Sequence, residues 1–150
     1  MSRPFRFGLQ RVREIRAHDE DQAKERFAAS LNARVRGEAV LRAAEDRLRN
    51  AQNGVVEPGF GPLTGQTLVA RQAWVERLEH DRADAKLRMS TYENDLQRKR
   101  SELAQASQAR EVLDKLEERQ REEHRLQAER AESERLDEMA LQMFARKQAA

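Results

Sequence analysis

The sequence predicts an all-α fold: a long antiparallel two-helix coiled-coil hairpin whose C-terminal helix overhangs its partner. Three observations lead there. From Gln66 to Ala150 there is no Gly and no Pro, a span of about 128 Å if wholly helical, at ~1.5 Å per residue. Within it, residues 75, 78, 82, 85, 89, 92, 96, 99, 103, 106, 110 and 113 step by three and four, and nine of these twelve are apolar. That 3.5-residue period winds a left-handed coiled coil, so the helix needs a partner. A Gly/Pro-rich stretch, Asn53 to Gly65, separates it from the one other long helical segment.

The composition agrees. Charged residues make up 37 % and aromatic residues 5 % of 150, the profile of long helices that bury a narrow stripe and not a bulky core. The regular seam argues against a disordered chain of mixed charge. The whole chain reads as one helical hairpin, with helix one at about 9–52, the turn at 53–65 and helix two at about 66–147.

In chain order, Met1 to Gly8 forms a short lead with Pro4 and Gly8 as breakers and Phe5 and Phe7 alternating about Arg6. Five Arg fall between Arg3 and Arg16 against one acid, Glu14. They read equally as a basic helix start, which the helix dipole slightly disfavours, or as a patch for an acidic protein surface. Helix one carries Leu9, Val12, Ile15, Ala23, Phe27, Leu31, Val35, Leu41, Ala44, Leu48 and Ala51. Gly37 interrupts it and suggests local softening or a bend, since Gly costs roughly 1 kcal/mol relative to Ala in a helix.

The turn, NGVVEPGFGPLTG, is unusually apolar. Val55, Val56, Phe60 and Leu63 either cap the hairpin core or present a contact at the tip. Thr64 reads as the N-cap of helix two, with Leu63 and Leu68 as a hydrophobic staple. Counting back from the turn pairs Gln52 with about Gln66 and Leu9 with about Ala109, which leaves the rest overhanging. The seam fades there, too. Between Glu117 and Arg135 twelve residues are charged, and i,i+4 pairs (Glu117 with Arg121, Arg119 with Glu123, Arg125 with Glu129, Arg130 with Glu134) supply local support. Apolar character returns at Leu136, Met139, Ala140, Leu141, Met143 and Phe144 with nothing to bury against except the lead, so this end is expected to enter a partner. Nearer the turn, Val69, Trp74 and Leu87 lie outside the main seam. Trp74 reads as core-flanking or as part of a contact near the tip. The seam's Arg82, Lys99 and Arg110 are expected to snorkel over the core.

Several function classes are excluded or disfavoured. There is no Cys, and His18, His80 and His124 form no metal-ligand spacing; no phosphate-cradling Gly loop or nucleophile elbow is present. No catalytic residue, cofactor, metal or small-molecule substrate is expected, because a two-helix hairpin offers no preorganised cleft. Net charge is +2, with 29 basic and 27 acidic residues interleaved, a solvated surface and not a nucleic-acid footprint. No apolar run is long enough to span a bilayer, and the N-terminus has no apolar signal segment. A cytoplasmic chain is expected.

The opening FRFGLQRVREIR, Phe5 to Arg16, and the close LEERQREEHRLQAERAESERLDEMALQMFARK, Leu116 to Lys147, resemble the flagellar FliJ family, the small stalk proteins of flagellar type III export. The family similarly begins with two aromatics before a basic helix. It similarly ends in a charged run, a Leu-Asp-Glu (here Leu136, Asp137 and Glu138) and an apolar Phe-containing tail. The GFGP turn is not part of that pattern. The resemblance implies a non-enzymatic stalk, similar to the gamma subunit of rotary ATPases. Such a stalk inserts into the hexameric flagellar export ATPase, favours ring assembly, and links it to the export gate cytoplasmic domain, with export chaperones as further partners. It implies a monomer by itself, cytoplasmic and peripherally associated with the inner membrane at the flagellar base. The assignment expected on this reading is ATPase-ring contact at Phe5, Phe7, Leu9, Arg11, Leu136, Met139, Met143 and Phe144, and export-gate contact near the tip at Val69, Trp74 and Leu87. A stalk of an injectisome type III secretion system and a plain dimeric coiled-coil scaffold remain as alternative readings.

Overall fold

The computed structural model of the chain describes residues 3–54 and 64–149. They form two helices, α1 (Gln10–Gln52) and α2 (Gly65–Ala149), and no strand among the described residues. The fold is an all-helical hairpin. Of the turn residues, Val55, Val56, Phe60 and Leu63 lie outside the described residues, and with them the staple to Leu68.

Each helix end has a local cause. Gly54 takes φ 79°, the left-handed conformation that ends a helix at low cost only in Gly. Beside it, the Arg71 guanidinium donates to the Ala51 carbonyl at 3.3 Å, one of the acceptors the helix end leaves open. At the start of α2 the Thr67 N–H donates to Thr64 Oγ1 (3.2 Å) while the Thr64 N–H donates to Thr67 Oγ1 (2.7 Å). This is a capping box with Thr in the position Glu usually takes. Two free donors are satisfied reciprocally.

The chain divides into two compact units, Asp21–Ala104 and Met1–Glu20 with Gln105–Ala150. The first holds the apolar core. Leu48, Ala51 and Leu78 form its cluster, with Trp74 and Val75 packed against it, and Ala23, Ala85 and Met89 are buried as well. All twelve seam positions of α2 are buried or half-buried except Arg82, which sits at the edge with its Nε 4.0 Å from Glu45.

Gly37 lies inside α1, which runs through it without interruption. A Cβ built there would lie 2.6 and 2.7 Å from Tyr92 Cδ2 and Cε2, so the missing side chain lets the Tyr92 ring close against the helix backbone. The pairing is also displaced. Leu48 clusters with Leu78, not near Ala70, and Ser30 Oγ donates to Asp95 at 2.8 Å. A count from a tight turn ignores what fixes register here: Val75, Leu78, Ala85 and Met89 must meet the apolar stripe of α1.

Candidate interaction surfaces

In the unit formed by the two ends of the chain, the inter-helix contacts change character. The lead packs down: Phe7 is buried, and the Phe5 ring meets His124 edge-on, centroids 5.7 Å apart, with the Arg121 guanidinium carbon 5.6 Å from the Phe5 ring centre. Both arrangements suit an aromatic quadrupole. Beyond the lead, Arg13 Nε donates to Asp114 at 2.7 Å and its Nη1 lies 2.6 Å from Glu117, which in turn accepts from Arg121 at 2.7 Å. Arg110 bridges Glu20 and Asp114, and Ser107 Oγ donates to Glu20 at 3.0 Å.

The Glu20 side chain is only 6 % exposed. A carboxylate this covered survives because an Arg and a hydroxyl supply the hydrogen bonds that water would have given. The hydrogen bond from Arg13, aided by the charges of Arg13 and Arg110, holds the Asp114 carboxyl below the usual carboxylate range. Bonding to Glu20 and Asp114 respectively pushes Arg110 and Arg13 further up. Arg110 is therefore an inward-facing partner of a buried acid, not a residue snorkelling over the core.

The same contacts correct the expected limit of pairing. It does not stop near Ala109; residues of α2 as far as His124 meet the N-terminal segment. The displaced register brings them there.

Beyond His124 the support is local. Arg125 pairs with Glu122 and Glu129, and Arg119 with Glu123. The Arg125 guanidinium, by hydrogen bonding, keeps the Glu122 carboxyl below its ordinary value. The expected Arg130–Glu134 pair is absent among the described residues. Every described residue from Glu129 onward is exposed, including Leu136 (58 %), Met139 (53 %), Met143 (71 %) and Phe144 (62 %). At the other sequence-predicted positions, Leu9 and Arg11 are exposed on α1 and its approach, whereas Phe5 and Phe7 are covered. Val69 and Leu87 are exposed. Trp74 lies against the Leu48 cluster with its indole Nε1 buried and without a hydrogen-bond partner among the described residues.

A groove of about 350 Å³ in the Asp21–Ala104 unit is lined by apolar side chains, Val40, Ala43, Ala44, Leu78 and Ala85, and by charges of both signs, Arg47, Asp81, Asp84 and Arg88. Among the described residues no cluster of His, Asp or Glu could hold a metal, and no helix is long and apolar enough to cross a membrane.

Sequence reasoning misses Arg13, Glu20, Asp114 and Glu117 as a network. Arg110, a cation inside an apolar seam, is its visible sign; the acid opposite can be found only once the register is known.

A family model described as "Flagellar FliJ protein" matches residues 5–149, nearly the whole chain. No curated protein and no solved structure matches. With two long helices, a coiled-coil seam and a full-length family match, the chain belongs to the flagellar FliJ family, a component of the flagellar type III protein export apparatus at the flagellar base.

Proposed function

We propose that this chain is the non-enzymatic stalk of the export apparatus. It inserts its terminal end into the hexameric export ATPase ring, promotes assembly of that ring, and links it to the cytoplasmic domain of the export gate. The observation that carries this reading is the run of exposed apolar side chains from Leu136 to Phe144, on a stretch of α2 with no cover from its own chain among the described residues. Exposed apolar clusters of this kind mark interaction sites.

On this reading Leu9, Arg11, Leu136, Met139, Met143 and Phe144 face the ATPase. Phe5 and Phe7 anchor the lead from beneath, and α2 beyond His124 is the thin end that enters the ring. Val69, Trp74 and Leu87, near the tip, face the gate. Interleaved charge elsewhere suits a channel lining that must not lock onto one subunit. Escort of export chaperones and peripheral association with the inner membrane belong to the same reading.

Light scattering of the cognate ATPase with an ATP analogue, with and without this chain, tests it. The expected result is a shift to hexamers with about one copy of the chain per ring. An ATPase whose mass distribution ignores the chain would refute the stalk assignment.

A further inference from the structure

In a pair of packed helices, the side of each helix turned away from its partner faces water and carries polar or charged residues. The middle of α1 departs from this. Gly37 marks the side of α1 that meets α2, because the Tyr92 ring closes against it. At ~100° per residue, Leu31, Val35, Ala39 and Ala43 stand about 120°, 160°, 200° and 240° round from Gly37, centred on the opposite side. All four are exposed, Leu31 by 38 % and Val35 by 55 %. Ala28 stands on the same side and is exposed as well. Measured in the same way from Tyr92, the outer side of α2 at this level carries Ser90, Asn94 and Gln97, all polar and exposed.

Spaced at i, i+4, the four apolar side chains form a single ridge that turns through about 120° between Leu31 and Ala43. A ridge of this kind packs into the groove of another helix, with the two axes crossing at about 50°. A lipid surface, being flat, instead takes a stripe that runs along the helix axis. The charges narrow the choice further. Three Arg lie in this stretch, Arg34, Arg36 and Arg42, against one acid, Glu38, which Arg42 holds at 2.7 Å. Arg36 stands beside the ridge, exposed and in no ion pair among the described residues. A second copy laid on this face would set the same excess of Arg against itself, and like charges across an interface oppose binding.

We propose that the Leu31–Ala43 ridge is a docking site for a helix of another protein, one with an apolar i,i+4 ridge of its own flanked by acids. That helix crosses α1 on the side away from α2. Leu31 and Val35 fill gaps between its side chains, Ala39 and Ala43 leave room for its larger ones, and an acid on its flank pairs with Arg36. The ridge includes none of the residues assigned above to the ATPase ring or to the gate, and the site stands independently of the stalk reading.

The chain contains no Cys, so a fluorophore on Asn32→Cys reports on the ridge and one on Ser90→Cys on the outer side of α2. The probes are two synthetic amphipathic peptides with the same Leu ridge, one flanked by Glu and the other by Lys. The Glu-flanked peptide should bind, shift the Asn32→Cys emission to the blue, leave Ser90→Cys unmoved, and weaken as salt is raised. Ala39→Arg with Ala43→Arg should lower its affinity at least roughly tenfold, with circular dichroism unchanged because both positions face solvent. Arg36→Glu should lower it at least roughly threefold and favour the Lys-flanked peptide. Equal binding of the two peptides, binding of neither, or a blue shift produced instead by anionic lipid vesicles would overturn the proposal. So would light scattering that shows the chain alone as a dimer which the two Arg substitutions dissociate. The doubly substituted chain should still drive the export ATPase to hexamers, so failure of the ridge and failure of the stalk reading are told apart.

Discussion

Arg13 of α1 holds two acids of α2 at once, Asp114 at 2.7 Å through Nε and Glu117 at 2.6 Å through Nη1. With Arg110 on Glu20, it makes the paired ends of this chain a polar joint, where the Leu48–Leu78 region is an apolar one. Polar and apolar joints respond to different stresses. That difference can be measured.

The polar joint is acid-sensitive. Arg13 and Arg110 hold the Asp114 carboxyl below its ordinary value, so it contributes stability that is fully present above about pH 4 and is lost as pH falls through its folded value. The raised Arg13 and Arg110 lose their contribution only in strong alkali. Hydrogen exchange between about pH 5 and pH 2, corrected for the intrinsic rate, should therefore show residues 10–20 losing protection before residues 40–51. Asp114→Asn should abolish most of that acid dependence. Equal loss in both segments would contradict the assignment.

Gly37→Ala should destabilise despite the better helix former. Ala gains roughly 1 kcal/mol of helix propensity, but overpacking against the Tyr92 ring, 2.6 Å from the new Cβ, costs about 1–3 kcal/mol. Thermal unfolding of Gly37→Ala, Tyr92→Ala and the double variant forms a cycle. Positive coupling, with the Gly37→Ala change tolerated better once the ring is gone, is the expected outcome.

Leu78 is the most buried large side chain described, 2 % exposed in the Leu48 cluster. Leu78→Ala should cost about 2–5 kcal/mol, while Leu87→Ala, at an exposed position, should stay within about 0.5 kcal/mol. Denaturant titration separates them.

Met143→Ala with Phe144→Ala should weaken binding of the export ATPase at least roughly tenfold, a small part of the apolar transfer energy of the two side chains. Circular dichroism should be unchanged, because both residues already face solvent. Undiminished affinity would remove these residues from the ring contact.

Where residues repeat, the chain is legible. The 3.5-residue seam, the Gly/Pro interruption and the unbroken stretch after Gln66 lead directly to two long helices. The terminal motifs lead to the FliJ family, which the match over residues 5–149 establishes. The apolar run from Leu136 to Phe144 is legible as well, and its large side chains are exposed.

What periodicity does not supply is alignment between the helices. A heptad pattern fits its partner equally well after a slide of one repeat, so counting from the turn places Leu9 beside Ala109. Contacts reaching Phe5 and His124 require the apolar stripes to meet in space. The roles of Arg110, Glu20 and Gly37 follow from that alignment alone: a buried charge is stable only opposite its counter-ion, and a missing side chain has meaning only opposite the ring that fills its place. By itself, then, the sequence determined two amphipathic helices and their family. Only the tertiary structure decided which residues face one another, because register is set by the complementarity of two surfaces and not by the pattern of either.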